Sequence, residues 1–174
     1  MCADSLGRPY IATYWGNPPT RSRLETPESP QYHVVYFDGE QWQEQQVSHR
    51  VTPFSLSGGG TLRIPISRPQ IVADANDGID RAYMIFRDEE RDNRVSVAIC
   101  NDLSEGEWSI EDLTDFSVGQ WEPTYDTELW RTTKELHLLV QNVGQGNSET
   151  TEDIPPQMIN ILEWIPDEYA GTPE

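Results

Sequence analysis

The sequence predicts an all-β chain, on three observations. Apolar residues come in short runs rich in β-branched and aromatic side chains. Gly, Pro, Asn and Asp clusters separate the runs, and no segment keeps a 3.6-residue apolar stripe over three turns. The first strands expected are 2–4 (CAD), 8–15 (RPYIATYW), 32–37 (YHVVYF) and 42–47 (WQEQQV), with Asp38-Gly39 as the turn between the last two. A second set follows at 72–74 (VAD), 81–86 (RAYMIF), 94–99 (RVSVAI) and 107–113 (EWSIEDL), with Asn76-Asp77-Gly78 between its first two. A third comprises 125–130 (YDTELW), 136–141 (LHLLVQ) and 158–164 (MINILEW).

These sets are one unit repeated. "CADSLGRPYIATYW" aligns with "VADANDGIDRAYMIFRD" and with "YDTELWRTTKELHLLVQN", so that Arg8, Arg81 and Glu135 open the second strand of each unit. Four-stranded units of about 40–50 residues are the signature of β-propeller blades. The expected architecture is a partial β-propeller of about three four-stranded antiparallel blades, at 1–49, 68–116 and 122–166, the first and last incomplete. Residues 167–174 are expected to form a disordered acidic tail. So few blades leave open faces and edges. The chain is therefore expected to be the C-terminal part of a longer propeller whose N-terminal blades are missing, the alternative being a stand-alone or oligomeric three-unit domain.

At 174 residues one domain is the natural expectation. Thirty acidic against twelve basic residues give a formal charge of −18. That balance repels nucleic acid and anionic membranes and suits solubility in a salty or extracellular setting. Cys2 and Cys100 form neither a disulfide framework nor a metal motif. A set of His33, His49 and Cys100 has no recognised ligand spacing, so neither metal nor cofactor is expected. There is no run of ~18 apolar residues for a membrane span, and "MCADSLGRPY" lacks the pattern of a signal peptide.

All the long connections emerge on one side of the repeat, at 16–30, 49–67, 88–93, 116–121 and 144–156, while the opposite turns are short. Long loops on a rigid scaffold are where binding and chemistry sit. The Gly58–Gly60 run is no phosphate loop, because the Lys-Ser/Thr pair and following helix that such a loop needs are missing. Pro53, Phe54, Leu56, Ile64 and Ile66 are too apolar for a plain linker, which leaves a packed rim loop. Tyr14, Arg87 and Gln141 occupy equivalent positions at the loop-bearing ends and read as a pocket lining. Trp15, His49, Arg50, Arg68, Glu89, Glu90, Arg91, Gln120, Trp121, Glu122 and Tyr125 lie in the same loops. Trp and Tyr there suit sugar rings, and arginine suits a carboxylate or sulfate. Other readings stand beside these. Arg87 and Arg91 could pair with Asp88, Glu89 and Glu90, Trp121 could be packing core, and His33 and His137 read as packing. His49 is the best placed for proton transfer.

Through "GRPYIATYW", "QYHVVYFDG", "FSLSGGGTLRIPISRPQIV", "AYMIFRDEER", "VSVAICNDLS" and "DFSVGQWEPTYDTELW" the chain resembles the BNR-repeat-containing family of seven-bladed propellers. Ulvan lyases and related rhamnose-acting enzymes of acidic polysaccharides belong to it. The likeness covers about residues 1–166. It implies a secreted parent, extracellular or periplasmic, that cleaves a uronate-containing, ulvan-like polysaccharide by β-elimination. A base takes the proton beside the carboxylate, a cation offsets that carboxylate, and an acid protonates the leaving oxygen. The rim roles it implies are Tyr14 as acid or sugar contact, His49 as auxiliary proton-transfer group and Arg50, Arg68 or Arg87 as carboxylate partner, with Tyr14, His49 and Arg50 taken as the catalytic set. The binding roles fall to Trp15, Arg68, Arg87, Gln120, Trp121, Tyr125 and Gln141. The family's base lies in earlier blades, so this chain is expected to be inactive alone. The alternatives are a rhamnosidase-like hydrolase using Glu89, Glu90 or Glu122, or a non-catalytic carbohydrate-binding propeller.

Overall fold

Period-two alternation decides how the strands pack. The computed structural model describes residues 1–16, 29–54, 64–145, 154–167 and 169, which form three antiparallel sheets. The first holds β1 (Cys2–Ala3), β2 (Pro9–Trp15), β3 (Gln31–Phe37) and β4 (Trp42–Gln46) in that order. The second holds β5 (Gln70–Asn76), β6 (Ile79–Asp88), β7 (Arg94–Cys100) and β8 (Ser109–Asp112), again in order. In the third, β9 (Leu136–Val140) pairs with β10 (Asn160–Trp164).

The middle sheet is buried on both faces. From β6, Ala82, Met84 and Phe86 join Ala98 and Cys100 of β7 in a cluster with Tyr10, Tyr32, Val34 and Tyr36 of the first sheet. The intervening Tyr83 and Ile85 join Val95 and Val97 in a second cluster with Leu136, Leu138 and Val140 of the third. Successive side chains of a strand point to opposite faces. A strand apolar at every position must therefore be covered twice, as "AYMIF" is here. The three sheets thus stack face to face in chain order.

Short polar ties close the end opposite the long connections. Arg8 holds Asp4 of its own turn at 2.7 Å and reaches Asp80 of the next unit. Asp74, equivalent to Asp4, instead takes Lys134 Nζ at 2.9 Å and the Tyr169 hydroxyl at 2.8 Å. The third member of this series, Asp126, caps a helix.

That helix, α1 (Thr127–Thr133), corrects the expectation of a strand at 125–130. The Asp126 carboxylate accepts the Glu128 and Leu129 amides, Arg131 pairs with Glu128, and Lys134 ends the helix at a φ of 63°. These local caps favour a helix over an inner strand. The buried Trp130 plugs the second cluster edge-on to Tyr83, with ring centroids 5.8 Å apart. Of the expected strand, one antiparallel bridge survives, Tyr125 to Leu138.

The register makes Ile85 and Leu139 equivalent, yet Ile85 is fully buried and Leu139 is 50% exposed. Ile85→Ala is expected to cost about 2–5 kcal/mol in urea unfolding of the dilute chain, and Leu139→Ala under about 0.5 kcal/mol. Equal losses would contradict the stacking order.

Candidate functional site

The strand ends that carry the long connections converge. Bridges join Ile66 to Asp88 and Gly119 to Val143, and the Arg68 amide donates to Glu122 Oε2 at 2.8 Å. Residues 17–28, 55–63 and 146–153, which include Gly58–Gly60 and most of the longest connections, lie outside the described residues, as does most of the expected tail. The remainder form the candidate site.

Arg50 and Asp88 make its most buried ion pair. Asp88 ends β6 and caps the tight turn Glu89–Arg91, one oxygen accepting the Glu90 amide at 2.9 Å. Its other oxygen takes Arg50 Nε at 2.6 Å. Arg50 Nη1 donates to Ser29 Oγ and to the Thr52 carbonyl, and the guanidinium lies over Phe54 at 5.2 Å. Gln31 fixes the same segment, its amide oxygen accepting the Arg50 N–H and its amide nitrogen donating to the Arg50 carbonyl. This arrangement anchors the exit from β4 to the end of β6. A cation so neutralised and desolvated is not available to offset a substrate carboxylate.

Glu90 completes the anchor from the surface, accepting the Val51 and Thr52 amides. Burial pushes its carboxyl up, but the bonds from Thr52 and Val51 and the charge of Arg50 outweigh it, and the net shift is downward.

Arg87 is buried as well. Its Nε donates to the Trp121 carbonyl at 3.1 Å and its Nη1 to Asn93 Oδ1 at 2.9 Å, while Ser67 Oγ accepts its amide. Desolvation lowers its pKa, against the nearby carboxylates of Glu122, Asp88 and Glu89. Neutral acceptors thus hold a buried cation, and Arg87 ties the middle sheet to the connection that enters the third. Trp121, also buried, donates its indole N–H to the Leu139 carbonyl at 2.8 Å.

Tyr14, Arg87 and Gln141 occupy matching places in their sheets without lining one pocket. Tyr14 packs into the first inter-sheet cluster, edge-on to Tyr32 with centroids 6.3 Å apart. Arg87 enters the second gap, and Gln141 lies half-buried just past β9. The stacking order puts Tyr14 and Arg87 into successive gaps and leaves Gln141 beyond both.

Trp15 is 38% exposed and stacks on His33 at 3.8 Å, with His33 Nδ1 bonded to Glu44. His49 is exposed, its Nδ1 accepting Gln46 Nε2 at 3.2 Å. Arg68 is exposed, and no described residue pairs with its guanidinium. Gln120 is half-buried, its amide donating to the Val143 carbonyl at 2.7 Å. Tyr125 is half-buried, and burial pushes its hydroxyl pKa up. Arg91 pairs with Asp112 at 2.7 Å rather than with the acids of its own run. Among the described residues no three His, Cys, Asp or Glu side chains are grouped to hold a metal.

The sequence reading missed Gly119. Its φ is +61°, and a β-carbon there would overlap the Val143 carbonyl and Asn142 Oδ1. Its place two residues before a buried Trp, in "FSVGQW", is a cue after the fact. No protein-family model matches the chain, and no curated protein matches it.

Two outcomes test this geometry. Arg87→Leu removes the donor to Trp121 O and Asn93 and is expected to destabilise by about 2–4 kcal/mol in denaturant unfolding. A carboxyl depressed by folding contributes stability above its unfolded pKa and loses it as pH falls through the folded value. The Val51 and Thr52 amides should therefore lose hydrogen-exchange protection as pH falls below the ordinary glutamate range, and Glu90→Gln should remove that pH dependence.

Proposed function

We propose that this chain is a stacked-sheet section of a β-propeller that handles an acidic polysaccharide. In this reading the parent acts by β-elimination on uronate, and this section supplies saccharide contacts rather than a complete catalytic set. The end sheets' open faces are then the places where further blades of the same propeller pack, and the parent is secreted. The reading rests first on the repeat, since one kind of unit packs on the next with the same face forward each time.

One observation carries the choice of ligand. In a chain of net charge −18, Arg68 stands exposed at the loop-bearing end, while Arg50 and Arg87 are held by internal partners. An unpaired guanidinium recognises a carboxylate or sulfate by paired hydrogen bonds. Trp15, at the same end of its sheet, offers an aromatic face to a sugar ring. Arg50, buried on Asp88, is removed from the proposed catalytic set, which leaves Tyr14 and His49 as proton-transfer candidates.

Titration with a uronate oligosaccharide and a neutral oligosaccharide of equal length tests the reading. The acidic ligand should bind, the neutral one should not, and Arg68→Ala should weaken binding by about tenfold. The chain alone should give no rise in ultraviolet absorbance from an unsaturated product. Equal binding of the two ligands would overturn the proposal. An absorbance rise would overturn the assignment of binding without catalysis to this section.

A further inference from the structure

Both interfaces inside the stack join the same two kinds of face. On the side facing the next sheet, the central cross-strand pair is Ala12–Val34 in the first sheet and Ile85–Val97 in the second. The first pair shares a packed cluster with Met84–Ala98 of the following sheet, and the second shares one with Leu138–Leu162. Each interface therefore sets one central apolar pair on another, at the same register.

Among the described residues, the register leaves one face of each kind without a sheet packed on it. On the third sheet the forward pair is Leu139–Ile161, which is 50% and 58% exposed, with Ile159 and Ile165 exposed at either end of β10. On the first sheet the backward pair is Ile11–Val35, half-buried, with the exposed Trp15 and Trp42 near its two ends. These two faces are the forward and backward partners of the interface that the stack already makes twice.

We propose that this 174-residue chain, with no further blade on its end sheets, associates with a second copy of itself head to tail, the outer face of the third sheet of one copy covering the outer face of the first sheet of the other. The occupant follows from continuity. Ile11–Val35 is the register equivalent of Met84–Ala98 and Leu138–Leu162, the two pairs that cover a forward face within the chain. A heterologous contact of this kind propagates into a ring or an open chain rather than an isolated two-fold pair. The net charge of −18 opposes it at low ionic strength, so added salt strengthens the association. The inference stands on register and burial and does not depend on the saccharide reading.

Analytical ultracentrifugation of three proteins tests it: the unmodified chain, Val35→Lys on the first sheet and Ile161→Lys on the third. Both substitutions lie on the open faces, and circular dichroism checks that each variant is folded. At about 100 μM the unmodified chain should sediment above its monomer mass of 19.9 kDa, more so in high salt. Each variant alone should be monomeric. An equimolar mixture should regain a 1:1 species, because each variant keeps the face that the other has lost. A monomeric unmodified chain, variants that still associate alone, or a mixture that stays monomeric would each overturn the proposal.

Discussion

Burial of the middle sheet on both faces is the constraint from which the rest of the arrangement follows. β6 carries apolar side chains at five successive positions, from Ala82 to Phe86, and none of them is exposed. A strand with no polar face is stable only between two layers. Once it is covered on each side, the first and third sheets have fixed places. The turns at one end and the long connections at the other are then brought into register across the stack.

At the loop-bearing end the same stacking turns cations into structural parts. Arg50 and Arg87 lie where connections cross from one sheet to the next, and a guanidinium offers several donors in one plane to carbonyls that would otherwise go unpaired. Asp88 balances Arg50, whereas Arg87 is met by the Trp121 carbonyl and Asn93. A buried charge held this way fixes a geometry more than it adds net stability. Arg68 lies on the outward side of the same connection and keeps its charge at the surface.

The acidity of the chain and its open faces pull in opposite directions. Apolar side chains such as Leu139 and Ile161 favour being covered. A net charge of −18 keeps like molecules apart at long range. Charge acts over the screening length and contact acts at touching distance, so ionic strength sets which governs the isolated chain.

The alternation of "RAYMIF" and "RVSVAI", the turn residues and the Ala-Asp that opens both of the first two units were legible because they are local. They determined an all-β chain built from repeated antiparallel units, in the strand order that the first two sheets follow. The helix at Thr127–Thr133 escaped that reading, because the Asp126 and Lys134 caps compete locally with a strand pattern borrowed from the other units. Which polar side chains are free was not legible at all. Tyr14, Arg87 and Gln141 are equivalent in sequence, yet the stack sends them to a first gap, a second gap and an outer edge. Arg50 found Asp88, and Gly119 found Val143, across separations that no local pattern encodes. Sequence periodicity sets which face of a strand is apolar. Only the packing of one sheet on another decides what that face meets, because burial and ion pairing depend on neighbours distant along the chain.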